Sequence, residues 1–193
     1  MDSQFTPIPK DFYSLETNAP FEGCQVCKAD LLAGEVDYFI EKAVRNYPEH
    51  DVSDVVYEYA LCSHCAQDMN QKMSSDSMTN LQMYFSGNEE FSKKVNQYNQ
   101  EWQNIEGSAL QEKCAMTGVN KADLDEYMIY GHFKGDQMIK STMPFLLSGK
   151  VMDEVADLLS DETIDELDNF MGEYFGGPPE LEELWKPRRP VFF

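Results

Sequence analysis

Two Cys-x-x-Cys pairs, Cys24/Cys27 and Cys62/Cys65, stand 34 residues apart, and nothing else in the chain restricts its fold so strongly. A two-residue spacer closes a tight turn with both sulfurs on one side, and four thiolates roughly 2.3 Å from a shared ion complete a tetrahedral shell. The pairs can share an ion only if the intervening chain doubles back. Residues 37–44 (DYFIEKAV) and 54–61 (DVVYEYAL) are rich in β-branched and aromatic residues, and the second alternates. They predict two antiparallel strands with a loop around Pro48. The second pair then falls where a strand enters a helix, predicted over residues 66–73, whose N-terminal dipole favours negative sulfur.

The expected cofactor is one structural Zn2+ held by Cys24, Cys27, Cys62 and Cys65. Two other uses of four cysteines stand beside it. A thioredoxin-like redox pair needs only one Cys-x-x-Cys in a βαβ setting, whereas these two pairs bracket a hairpin. An iron–sulfur cluster also takes four thiolates, but the clustered ferredoxin spacing is absent. A catalytic zinc keeps an open position with three protein ligands, and four cysteines close the shell. His64 lies inside the second pair and is an alternative ligand; that position more often faces solvent.

A turn bearing two cysteines, a hairpin, and two cysteines opening a helix, over residues 24–73, resembles a treble-clef zinc finger. The resemblance implies a structural metal centre. Members of that broad class bind nucleic acids, proteins or small molecules, and some are enzymes, so it does not fix a function.

The expected fold is α+β: a zinc-binding, treble-clef-like half with turn, β-hairpin and helix, then a helix-rich acidic half. The organisation reads as an extended N-terminal arm (1–20), the zinc-binding half (21–86), a bridging amphipathic helix (87–107), a second hairpin-helix half without metal (108–176) and a C-terminal tail (177–193). In the bridging segment Phe91, Val95, Tyr98, Trp102 and Ile105 recur at helical spacing on one face. The second half reads as a possible degenerate repeat of the first. A gapless alignment pairs Leu61 with Leu147, Met73 with Leu159 and Ser74 with Ser160, and Cys24 echoes in Cys114. Ser148 and Val151 then stand where Cys62 and Cys65 would be, which leaves that half without a metal. Duplication and a chance match of two amphipathic helix pairs both remain open at this level.

Charge narrows the partners. With 35 acidic against 15 basic residues the formal net charge is −20, which repels phosphate backbones and argues against direct nucleic-acid binding. The same balance suits solubility, a frequent trait of cytosolic bacterial-type proteins, or a protein partner with a basic surface. No stretch approaches 18 uninterrupted apolar residues, so no membrane-spanning helix is expected. The N-terminus lacks the pattern of a secretory signal, and a cytoplasmic location, where thiols stay reduced, is expected.

No other motif carries chemistry of comparable weight. His-Glu-x-x-His, Gly-x-Ser-x-Gly and phosphate-loop patterns are absent. Thr163 to Glu166 fits a helix capping box, and Ser74 or Ser75 a second cap. Cys114 is expected to be a buried, inert thiol, its alternative being a nucleophile served by His132. His50 falls in a predicted loop. The eleven methionines lie mostly at helical spacing and read as core, although Met-rich surfaces also serve binding. Leu181, Leu184 and Trp185 anchor either a terminal strap or a docking helix. The expected function is a protein-interaction or adaptor module stabilised by zinc. The alternatives are an acidic nucleic-acid mimic that inhibits a nucleic-acid-binding protein, and an enzyme with a site between the halves near Cys114.

Overall fold

The structure, a computed structural model, describes residues 5–50, 52–89, 91–93, 112–139 and 145–175. The two strands expected between the cysteine pairs form β2 (Asp37–Tyr47) and β3 (Val52–Cys62), preceded by a short β1 (Phe5–Pro7). They pair antiparallel, with Tyr38 opposite Cys62, so the second cysteine pair ends beside the start of β2. A turn of 3-10 helix, Pro48–His50, lies between them.

β2 is not an edge strand. Its other side pairs antiparallel with β4 (Glu126–Lys134), placing Tyr38 against Phe133 and Glu41 against Tyr130. The far edge of β4 is shared. β5 (Gln137–Ile139) takes its C-terminal end, and β6 (Phe145–Ser148) pairs with Tyr127 to Tyr130. β1 pairs with β5 and completes an antiparallel six-stranded sheet.

Each face of this sheet is covered, which explains why residues 40–44 of β2 are buried consecutively rather than alternately. On one face Tyr38, Ile40 and Lys42 lie with Phe133 beneath the N-terminal segment. Phe12, from the 3-10 turn Lys10–Phe12, meets the Phe133 ring edge-on at 5.0 Å. On the other face, which carries Tyr57, Tyr59 and Tyr130, lie two helices, α3 (Gly149–Ala156) and α4 (Asp161–Phe175). Tyr130 reaches Met152 Sδ at 3.4 Å, and the Tyr59 and Phe170 rings lie 6.3 Å apart.

Two further helices follow the second cysteine pair. α1 (Ser63–Lys72) begins directly after Cys62, and α2 (Ser75–Gly87) follows Ser74. Ser74 caps α2 by accepting from the Ser77 N–H at 3.1 Å, as its residue type predicts. The starts of α2 and α4 meet in a reciprocal seam. The Ser74 N–H donates to Thr163 Oγ1 at 2.9 Å, and the Ser160 N–H donates to Ser77 Oγ at 2.8 Å. Between them the Ser74 and Ser160 hydroxyls are 2.8 Å apart.

This seam corrects one expectation. Thr163 does not open a capping box with Glu166: it lies inside α4, and Ser160 accepts its N–H. The Thr163 hydroxyl is instead the acceptor that α2 needs. The bridging helix expected over 87–107 falls mostly outside the described residues: α2 runs to Gly87, and of the apolar stripe only Phe91 is described. The C-terminal tail with Leu181, Leu184 and Trp185 also lies outside them. Among the described residues no helix is long and apolar enough to cross a membrane.

Candidate metal centre

Cys24 and Cys27 lie on a tight turn between β1 and β2. The Cys24 N–H donates to Ala29 O at 2.9 Å and the Lys28 N–H returns to Cys24 O at 3.0 Å. Closing so short a loop requires Lys28 in the left-handed region, at φ 60, where its Nζ donates to Gln25 O at 2.6 Å. The turn is fastened to the sheet by the Gln25 N–H, which donates to Ala60 O at 2.8 Å. Cys62 is the last residue of β3 and stands at the N-cap position of α1; Cys65 is in the first helical turn. Strand, turn and helix end thus aim four thiols at one point.

The four sulfurs lie within 4.8 Å of one another. The Cys27 and Cys62 sulfurs are 3.7 Å apart, and a tetrahedron with 2.3 Å metal–sulfur bonds has edges of about 3.8 Å. The cluster could hold one metal ion. All five cysteines of the chain are free, Cys27 being exposed and the others buried. His64 is exposed on α1 and is not among the clustered ligand atoms.

The electrostatics of the metal-free set are uneven. Burial opposes ionisation of Cys24, but the N–H groups of Cys62, Cys27 and Val26 outweigh it and bring the thiol down to about 7. The Cys62 N–H lies 3.4 Å from Cys24 Sγ. Burial pushes Cys62 and Cys65 up, and the neighbouring Cys24 adds to both shifts. A bound divalent ion supplies the charge that four crowded thiolates otherwise lack, and its binding releases their protons.

The turn also holds the end of α4. The Gln25 side-chain amide donates to Tyr174 O at 3.0 Å, satisfying a carbonyl in the last turn of α4. Between α1 and α4, beside Cys65, a cleft of about 220 Å³ is lined by Asp68, Glu166 and Glu173, with Phe170 and Tyr174 supplying aromatic surface. Lys72 enters the same cleft and pairs with Glu166 at 3.6 Å.

The other predicted candidates lie elsewhere. Cys114 is fully buried, and its thiol hydrogen-bonds Ser148 Oγ at 3.6 Å while the Ser148 N–H points at its sulfur from 3.3 Å. His132 is half-buried and faces Asp37 at 3.3 Å with its ring stacked on Phe39. Burial holds it below the usual histidine range although Asp37 pulls the other way. His50 is exposed.

Sequence reasoning missed a buried polar cluster inside the sheet. Glu41 is 4% exposed and accepts from Tyr59 Oη at 2.6 Å and Tyr57 Oη at 3.2 Å. On the opposite face Lys42 pairs with Glu58 at 2.8 Å and donates to Tyr13 O at 2.6 Å. The signal available was the failure of Glu41 and Lys42 to alternate with apolar neighbours in a strand otherwise fit for burial. Comparisons with protein-family models, curated proteins and solved structures found no match to this chain.

Proposed function

We propose that Cys24, Cys27, Cys62 and Cys65 hold one structural Zn2+ in a treble-clef-like unit, and that the protein is a cytoplasmic interaction module for a partner with a basic surface. The observation that carries the metal reading is the four-sulfur cluster, with 3.7 Å between the Cys27 and Cys62 sulfurs. Four thiolates leave no open coordination position, which suits a structural role, and a soft, tetrahedral ligand set suits zinc. The sequence of turn, hairpin and a helix opened by the second pair supports the treble-clef comparison. The second half reads as a metal-free counterpart of the first.

The cleft between α1 and α4 supports the interaction reading. A Zn2+ with four thiolates has a net charge of about −2, and Asp68, Glu166 and Glu173 line the cleft beside it, with Lys72 as the one cation among the described lining residues. Phe170 and Tyr174 provide faces for the stem and guanidinium of an arginine or the stem of a lysine. Metal analysis of the purified protein tests the first claim, with one zinc per chain expected. An array of basic peptides tests the second. Metal-loaded wild-type protein should select Arg- or Lys-bearing peptides, and Glu166→Lys/Glu173→Lys should lose them while keeping its zinc. Equal binding by both proteins, or no selection by either, overturns the interaction reading.

A further inference from the structure

The loop around Cys114 repeats the cysteine turn bond for bond. Cys114 lies 90 residues after Cys24, and its N–H donates to Val119 O at 2.8 Å where that of Cys24 donates to Ala29 O. The Gly118 N–H returns to Cys114 O at 2.8 Å, as the Lys28 N–H returns to Cys24 O. Gly118, at φ 73, takes the left-handed conformation that Lys28 takes at φ 60. A bridge between Lys113 and Asn120 matches the one between Gly23 and Asp30. The Ala115 N–H fastens the loop to Leu146 O at 2.8 Å, as the Gln25 N–H fastens the turn to Ala60 O at the same distance.

From the strand onwards the correspondence runs at 86 residues, so that Ser148 stands for Cys62 and Val151 for Cys65. The Ser148 N–H faces Cys114 Sγ at 3.3 Å, as the Cys62 N–H faces Cys24 Sγ at 3.4 Å. Carrying the 90-residue step to Cys27 gives Thr117, and the side chains of Thr117 and Ser148 both hydrogen-bond the Cys114 thiol. Hydroxyl groups thus occupy two of the positions that sulfur holds in the first turn. The fourth position carries the buried side chain of Val151.

We infer that the Cys114 loop is a metal turn whose backbone is intact and whose ion has been replaced by thiol–hydroxyl hydrogen bonds. The second half therefore keeps the backbone framework of a tetrathiolate site for a soft divalent cation, with Cys114 at one ligand position and Thr117, Ser148 and Val151 at the other three. This inference rests on reading the second half as the counterpart of the first. A chance resemblance of two loops would reproduce a turn, but not the turn, its strand anchor and the amide aimed at its sulfur together. A backbone already held in the geometry of a metal turn spares the ordering that metal binding otherwise has to drive.

The experiment uses the full chain carrying Thr117→Cys, Ser148→Cys and Val151→Cys, purified with zinc and, separately, reconstituted with Co2+. About two metal ions per chain are expected against one in the wild type, with the thiolate–cobalt absorption about doubled. A variant that keeps the wild-type circular dichroism spectrum yet holds one ion overturns the inference. So does a wild type that already holds two. Wild-type protein that binds none overturns the metal reading of the first centre, and the added cobalt band of the variant is then read by itself. Should the triple variant fail to fold, Thr117→Cys/Ser148→Cys supplies three thiolates with Cys114, and absence of any added cobalt band in that folded protein overturns the inference equally.

Discussion

Glu41 on β2 and Tyr59 on β3 stand opposite each other in the register, and the Tyr59 hydroxyl donates to the Glu41 carboxyl at 2.6 Å within the buried face of the sheet. A second hydroxyl, from Tyr57, reaches the other carboxyl oxygen at 3.2 Å. Burial raises the Glu41 pKa to about 8, and the two tyrosine hydrogen bonds offset only part of that. The unfolded chain ionises Glu41 near 4.3, so between roughly 4.3 and 8 the native state binds the extra proton. Stability from this group therefore falls as pH rises through that window, by up to about 1.4 kcal/mol per pH unit, and is level above it. Urea titrations of wild type and Glu41→Gln at pH 5, 6, 7 and 8 should show that slope in the first and its loss in the second. Parallel slopes would reject the assignment.

The Lys42–Glu58 pair predicts a loss of stability when either side is removed alone. Both side chains are largely buried, and Glu58 also accepts from the Leu15 N–H at 2.6 Å, so the pair fixes the N-terminal segment over the sheet. Lys42→Met leaves a buried carboxylate without its cation and should cost about 3–5 kcal/mol. Lys42→Met/Glu58→Gln removes that charge while keeping an acceptor for Leu15, and should recover part of the loss. Chemical denaturation at neutral pH measures both; an unchanged midpoint for Lys42→Met would exclude a structural role for the pair.

Gly131 leaves room for the Phe12 ring to pack over the sheet. A Cβ there would lie 2.5 Å from the Phe133 ring and 2.8 Å from the Phe12 ring. Gly131→Ala should destabilise the protein by about 1–3 kcal/mol, the usual cost of overpacking. Shortening the opposing ring with Phe12→Leu should lessen the effect of Gly131→Ala, and thermal melts of the two single variants and the double variant test this. Simple additivity would place the strain elsewhere.

Ser74 and Ser160 cap α2 and α4 and also touch each other, so their contributions should not be independent. Ser74→Ala should cost about 0.5–2 kcal/mol through the lost cap. A double-mutant cycle with Ser160→Ala should return a coupling of about 0.5–3 kcal/mol, as groups in one hydrogen-bond network do. Zero coupling would mean that the two helix starts are capped separately and the seam adds nothing.

Much of the first half was legible in residue order because its determinants are local. The spacing of Cys24, Cys27, Cys62 and Cys65, the strand character of residues 54–61 and the capping role of Ser74 each depend on neighbours a few positions away. The structure brings these four sulfurs together and sets Ser74 at the start of α2. Thr163 was misread for the complementary reason. A capping box is a local pattern, whereas its hydroxyl is taken by Ser74, 89 residues distant.

By itself, then, the sequence determined the cysteine turn, the two strands between the cysteine pairs and the cap of α2, because periodicity, side-chain branching and cysteine spacing act through nearby backbone. Only the tertiary structure decided that β2 pairs with β4, that Glu41 is sealed between tyrosines, and that Thr117 and Ser148 gather around Cys114. Those outcomes depend on contacts between residues far apart in the chain, whose burial and partners exist only once the sheet has closed on its two coverings.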